Sequence, residues 1–386
     1  MAYPLHRILC LDDFEAAARK HLPPPIFGFI AGAVETNRSL RGNRESFDDY
    51  AFVPRVLVDI SRRATTCTLF GDTYASPIGI SPMGLCALFA YRGDIVLARA
   101  ASAGNIPMIM AGSSLIRLEE VAAAAPQAWF QAYLPGDVPA IEALVDRVAA
   151  AGYTKLVVTV DTPTAANREN NVRAGFSTPL RPSLRLAMDG ITHPRWLLGT
   201  FLRTIALHGM PHFENNYATR GAPILSPNVQ RDFSDRGHLT WQHLALIRNR
   251  WKSTLVVKGI LNADDARIAR DTGADGIMVS NHGGRQLDGA IAPLRALPDI
   301  VAACPEIPIL MDSGARRGTD VLKALALGAK CVFVGRPFAY AAAVGGEPGV
   351  THAIRLLAKE VSTDMAMLGI TSVDQLVAGS YLRRSH

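Results

Sequence analysis

Eight short apolar runs separated by segments of helical period constrain this chain more than any other feature. They are Pro77–Pro82, Ile106–Gly112, Ala128–Tyr133, Lys155–Asp161, Thr254–Gly259, Gly276–Ser280, Ile307–Asp312 and Cys331–Gly335. Runs of this length, apolar on both faces and bounded by turn residues, predict buried parallel strands. Helix-period segments lie between them: Gly93–Gly104, Leu118–Ala125, Ala140–Ala151, Trp241–Trp251, Ala263–Thr272, Ile291–Ala303 and Thr319–Leu327. The last opens after Gly318 and stops at Gly328, a start and stop pair expected of a helix. Strand starts fall 29, 22, 27, 99, 22, 31 and 24 residues apart. Six of these spacings suit a strand plus a crossover helix, and the fourth carries an insertion, about residues 176–235. Eight strand–helix units predict an α/β fold, a (β/α)8 TIM barrel. A doubly wound open sheet is the alternative, but it uses fewer units and a switch in strand order. Residues 1–386 are read as one domain, with residues 1–50 capping the barrel mouth.

The composition fits a large core: 49% of the 386 residues are hydrophobic and 19% charged. The net charge of +6 comes from dispersed arginines without a basic block, so nucleic-acid binding is not expected. An anionic substrate or an acidic membrane surface suits the sign better. Five cysteines without a CxxC pair predict reduced thiols in a cytoplasmic setting and no metal site. No signal-like segment and no run of 18 apolar residues is seen, so a spanning helix is not expected.

Polar residues cluster at the ends of the predicted strands, where a barrel carries its chemistry. In chain order they are Ser81, Gln131 and Tyr133, Thr159 and Asp161, Lys258, His282 and Arg285, Asp312, and Gly335-Arg336. A ring of structural hydrogen bonds is the bland account, but so many buried polar groups would each need a partner. Within Ser280–Asp288 a histidine and an arginine stand three residues apart. Arg285 can hold a carboxylate by a two-pronged hydrogen bond, while His282 takes a proton beside it. Gln286 and Asp288 are expected to hold the loop's shape. Asp312–Gly318 and Gly335–Pro337 are glycine-containing turns with arginines after the last two strands, where barrels frequently bind phosphate. His193, His208, His212, His238 and His243 lack metal-ligand spacing and are assigned to surface or packing.

These residues resemble the FMN-dependent α-hydroxy acid dehydrogenase/oxidase family, most nearly its bacterial mandelate and L-lactate dehydrogenase branch. The markers are Gln131-Ala132-Tyr133, Thr159-Val160-Asp161-Thr162-Pro163, Val257-Lys258-Gly259, Ser280–Asp288, Arg317-Gly318-Thr319-Asp320 and Gly335-Arg336-Pro337. The resemblance implies FMN at the barrel mouth, its phosphate near Ser313, Gly314, Arg316, Gly335 and Arg336. Asp312 would meet the ribityl chain, and Pro82, Met83, Gly84, Gln131, Thr159 and Ser280 would line the ring. Lys258 would face the flavin where negative charge accumulates. It implies His282 as base, Asp161 as its orienting carboxylate, Arg285 and Arg168 as carboxylate clamps, and Tyr133 as a substrate hydrogen-bonding group. The reaction implied is oxidation of an L-2-hydroxy acid to the 2-keto acid, with reoxidation by a quinone, oxygen or a carrier protein. A homotetramer is implied as well.

The chain departs from the family pattern at several positions. Phe29 stands where a substrate-binding tyrosine is usual, Ala111 where a serine is usual, and Ser313 where a glycine is usual. Ser113 replaces a tryptophan of glycolate oxidase-like members, leaving room for mandelate-like or other bulky hydroxy acids, with lactate also open. The Phe29 departure keeps two further readings open: a barrel of the same descent with altered chemistry, such as an oxidative decarboxylation, and a non-catalytic flavoprotein. The insertion contains His193–Arg203, with tryptophan, leucines and phenylalanine between basic residues. That composition suits an interfacial helix on the inner face of the cell membrane, or equally a lid packed on the barrel.

Overall fold

Alternation with a period of two decides what fills the barrel. In the computed structural model, which describes residues 3–177, 181, 183–226, 236–378 and 381–385, eight parallel strands form one sheet. They are β1 (Ile78–Ile80), β2 (Ile109–Ala111), β3 (Trp129–Ala132), β4 (Lys155–Thr159), β5 (Thr254–Ile260), β6 (Gly276–Val279), β7 (Ile309–Met311) and β8 (Cys331–Val334). The pairing order runs β1-β8-β7-β6-β5-β4-β3-β2, and a bridge between Ile80 and Met108 closes the ring. Each of the eight apolar runs therefore forms a barrel strand, one to three residues shorter at its ends than the run itself in most cases.

Ile109, Trp129, Val157, Val256, Met278, Leu310, Cys331 and Phe333 point inward and pack as one buried cluster. Their neighbours, such as Leu156, Val158, Val257 and Ile277, point outward into the larger core beneath the helices. The hairpin Cys67–Leu69 and Asp72–Tyr74 closes the floor, adding Leu69 and Tyr74 to the inner cluster. Phe70 at its tip meets Trp129 edge-on at 5.6 Å.

The ring helices follow from capping and apolar spacing. Val138–Ala150 begins where the Asp137 side chain accepts the Ala140 N–H at 2.8 Å, two residues before the expected start. It buries Ile141, Leu144, Val145 and Val148 on one face. The helix from Arg336 to Leu368 breaks at Gly346, whose φ of +57° favours glycine, with Pro348 just beyond.

Before the barrel, helices Asp13–His21, Pro24–Ala31 and Arg38–Glu45 precede a strand, Tyr50–Phe52, that pairs with Leu382–Arg384. The insertion holds a helix at Leu184–Ile191 and a continuous helical stretch from Pro194 to His208 with a π-turn at Leu197–Leu202. Trp196 is turned inward: it is buried, donates its indole N–H to the Leu88 carbonyl at 2.7 Å and stacks on Phe201. Leu184, Met188, Ile191, Leu198, Leu202 and Leu207 remain exposed. No helix among the described residues is long and apolar enough to cross a membrane.

Candidate active site

The inward faces that form the barrel floor continue upward into the site. Two residues beyond Trp129 on the same face comes Gln131; beyond Val157 come Thr159 and then Asp161. Lys258 follows Val256, Ser280 follows Met278, and Asp312 follows Leu310. The apolar layer sits at the floor and the polar layer at the C-terminal mouth, as expected of a barrel that carries chemistry there.

A cleft opens at this mouth. Phe29, Pro82, Met83, Gly84, Tyr133, Thr159, Lys258, His282, Arg285, Asp312, Ser313, Gly314, Arg316, Gly335 and Arg336 all line it. Gln131 and Ser280 are buried and do not line it: Ser280 Oγ accepts from Lys258, which does, and Gln131 accepts the Gly112 N–H. Ser113 and Arg168 do not line it. The Ser113 hydroxyl packs under Gly84, so close that a Cβ on Gly84 would lie 2.3 Å from it. Arg168 braces the loop after β6, donating to the Arg285 carbonyl at 3.1 Å and to the Gln286 amide oxygen.

His282 sits at a φ of +58° after β6, and its Nδ1 lies 2.9 Å from an Asp161 carboxylate oxygen. Its Nε2 faces the Tyr133 hydroxyl at 3.3 Å. Burial lowers the His282 pKa below the ordinary imidazole value, only partly offset by Asp161, so the ring is neutral at pH 7 and can accept a proton. Burial pushes the Asp161 carboxyl up, but His282, Lys258 and Arg168 together hold it below the usual carboxylate value. Lys258 is likewise kept charged: Asp312, 3.2 Å away, with Asp161 and Tyr133, outweighs its desolvation. Burial raises the Tyr133 phenol and keeps it protonated.

The loop after β6 is fixed from several sides. Asp288 accepts from Thr36 N–H at 3.0 Å and Ser39 N–H at 2.9 Å, and Gln286 donates to the Asp161 carbonyl at 2.9 Å. Both residues thus hold the loop as expected. Sequence reasoning missed Asn43, whose amide exchanges two hydrogen bonds with Asn281 at 2.8 and 2.6 Å. Its signal was weak, because a lone asparagine 238 residues away carries no spacing. Gly284 is required at φ +74°, where a Cβ would lie 2.7 Å from Leu40 N. Arg285 donates to the Phe29 and Gly32 carbonyls at 2.8 and 2.7 Å, and its guanidinium lies 5.0 Å from the Phe29 ring centre. Phe29 packs on Phe176 at 4.6 Å.

The glycine and arginine turns after β7 and β8 line the same cavity and suit a phosphate. Gly314-Ala315-Arg316 and Gly335-Arg336 converge there, with Arg336 opening a helix. Arg336 donates to the Ile30 and Gly32 carbonyls at 3.0 and 2.9 Å, and burial lowers its pKa to about 10. Arg316, also desolvated, is 3.5 Å from Asp12. Gln131 Nε2 and Thr159 Oγ1 are buried without a hydrogen-bond partner among the described residues. Unpaired buried polar atoms are rare in native structures, and of these two Thr159 lines the cavity. An elongated, planar, phosphate-bearing group with hydrogen-bonding ring edges fits all of these features.

A barrel mouth with this donor set defines a flavin-type oxidoreductase site, and the comparisons with known proteins narrow the class. Residues 18–384 match the model of the FMN-dependent dehydrogenase family. The chain is 40% identical over 388 residues to the L-lactate dehydrogenase of Xanthomonas campestris pv. campestris (strain B100), covering 98% of this chain and 97% of that one. Its fold matches the crystal structure of the monotopic membrane protein (S)-mandelate dehydrogenase with a TM-score of 0.88 at 33% identity, over 98% of this chain and 100% of that one. A structure of mandelate oxidase with benzoyl-formic acid matches with a TM-score of 0.79 at 35% identity, over 97% and 98% of the two chains. The chain belongs to the FMN-dependent dehydrogenase family and is an FMN-dependent oxidoreductase.

Proposed function

We propose that this enzyme oxidises an L-2-hydroxy acid, mandelate-like or otherwise bulky, to the 2-keto acid. The observation that carries the reading is the neutral, half-buried His282 held by Asp161 beside Arg285 in one cavity. Arg285 binds the substrate carboxylate, and the Tyr133 hydroxyl hydrogen-bonds the substrate next to it. His282 Nε2 takes one of the two protons that leave the substrate, and Asp161 stabilises the imidazolium so formed. FMN, when bound, would supply the acceptor for the two electrons and the other proton. Lys258 keeps a positive charge at the mouth where negative charge develops. Gln131 and Thr159, with their unpaired atoms, hold the ring edge, and Arg316 and Arg336 the phosphate. Phe29, which lines the cavity and packs on Phe176, supports an aromatic or other bulky substrate side chain over glycolate.

Anaerobic mixing of the FMN-loaded protein with L-mandelate, L-lactate and longer L-2-hydroxy acids tests this. Bleaching of the flavin absorbance with formation of the matching keto acid is expected. Tight FMN binding without bleaching by any of them would point instead to altered chemistry, for which Phe29 is the motive.

The reading extends to peripheral membrane contact. Leu184, Met188 and Ile191 share one helical face, and Leu198 and Leu202 another on the adjoining stretch, all exposed, with Arg195 and Arg203 beside them. Clustered exposed apolar side chains with basic neighbours suit an anionic lipid surface, and a lipid-soluble quinone is then the nearest electron acceptor. Replacing Leu198 and Leu202 together by glutamate is expected to weaken co-sedimentation with anionic vesicles by more than tenfold. Unchanged sedimentation would leave this face as an oligomer contact, for which a tetramer is the arrangement to test.

A further inference from the structure

Ser313 holds a backbone conformation that favours glycine. Its φ is +78°, in a turn where its two neighbours on the cavity wall are Asp312 and Gly314. An L-residue with a Cβ is disfavoured there, so a serine needs a compensating role for its hydroxyl. The hydroxyl has two partners. It accepts the Gly283 N–H at 2.9 Å and donates to Asp312 Oδ1 at 2.9 Å.

Those two bonds complete a ring. Asp312 Oδ2 accepts from Ser81 at 3.3 Å and pairs with Lys258 Nζ at 3.2 Å. Lys258 donates to Ser280 Oγ at 2.7 Å, and Ser280 Oγ accepts the His282 N–H at 3.0 Å. The adjacent amides of His282 and Gly283 are therefore joined through Ser280, Lys258, Asp312 and Ser313. Every link is buried or half-buried, where hydrogen bonds between charged groups are strong and sensitive to the loss of one member.

We propose that Ser313 is a positioning residue whose hydroxyl couples the histidine loop to the Lys258–Asp312 pair and so keeps the lysine's charge directed at the cofactor. This rests on the FMN-dependent reading of the site. With the hydroxyl in place, one carboxylate oxygen of Asp312 is occupied by Ser313 and the other is shared between Ser81 and Lys258. Without it, Asp312 concentrates its charge on Lys258, whose field toward bound flavin weakens, and Gly283 N–H loses its acceptor.

The test compares the holoenzyme with Ser313→Gly and Ser313→Ala, titrating the flavin midpoint potential with a reductant and reference dyes. Glycine relieves the φ strain and alanine keeps it, but both remove the hydroxyl. The expected result is that both variants bind reduced FMN less well, relative to oxidised FMN, by about tenfold, which lowers the two-electron potential by about 30 mV. Hydroxy-acid turnover should show a lower kcat with little change in KM, because Arg285 is untouched. If Ser313→Gly keeps the wild-type potential and kcat, the proposal is overturned and the serine is a tolerated substitution in a turn. The potential is read without any hydroxy acid. A shifted potential in a protein that no hydroxy acid reduces would therefore separate failure of the substrate reading from failure of this one.

Discussion

Replacing His282 with glutamine is expected to slow hydroxy-acid-dependent bleaching of the flavin by about 10²–10⁴-fold, the range general-base catalysis supplies. FMN should stay bound, because none of the residues at the phosphate end or along the ring edge is altered. The effect is large because the site holds one neutral base, aligned by Asp161 at 2.9 Å and facing the cavity. The pH profile is a second signature. Only the unprotonated imidazole can accept a proton, so kcat/KM rises with pH through the His282 pKa. Burial places that ascending limb below the ordinary imidazole value of about 6.5, and the wild type should be near its plateau at pH 7. The limb should vanish in His282→Gln. Stopped-flow reduction under anaerobic conditions measures both quantities, and a variant within threefold of wild type would remove His282 from the mechanism.

Asp161→Asn should cost nearly as much, about 10³–10⁴-fold at neutral pH, by analogy with other histidines oriented by a carboxylate. The carboxylate accepts a hydrogen bond from Nδ1–H, which leaves Nε2 free as the base. An asparagine can turn its NH₂ toward Nδ1 instead and favour the tautomer with the proton on Nε2, which cannot act. It also removes the negative charge that stabilises the imidazolium. The loop itself should survive, since Gln286 bonds the Asp161 backbone carbonyl and not its side chain. Single-turnover reduction checks this, and a loss below tenfold would make Asp161 a structural group only.

Much of the fold was legible because parallel strands buried on both faces must be apolar runs of limited length, here recurring at intervals that fit a crossover helix. The ends were less legible: β2 starts at Ile109 and not at Ile106, since the apolar approach to a strand reads like the strand itself. The polar side chains at the mouth could be named from their places after those runs, and the cavity gathers most of them. Arg168 and Ser113 were placed in the substrate pocket by family resemblance, and neither lines it. Their side chains are taken up by the loop backbone and by Gly84, contacts that no local pattern encodes. The sequence leaves the segment around Trp196 open between an interfacial helix and a lid on the barrel; the Trp196 indole N–H meets the Leu88 carbonyl, so the leucines and not the tryptophan are exposed. The Asn43–Asn281 pair and the Ser313 bridge join segments far apart in the chain and have no signature short of the folded structure.

The shared inward face of floor and site has a consequence for how such a chain can change over time. Trp129 and Gln131, Val157 and Thr159, Val256 and Lys258 stand on the same side of their strands. Deleting one residue between members of such a pair would turn the polar group outward among the helices, destroying function and burying a charge or amide in oil at once. Length variation is thereby barred from the strands and pushed into the connections. The 99-residue interval between strand starts four and five is where this chain has spent that freedom. New surfaces for lipid or partners can be acquired there without moving an atom of the reacting centre.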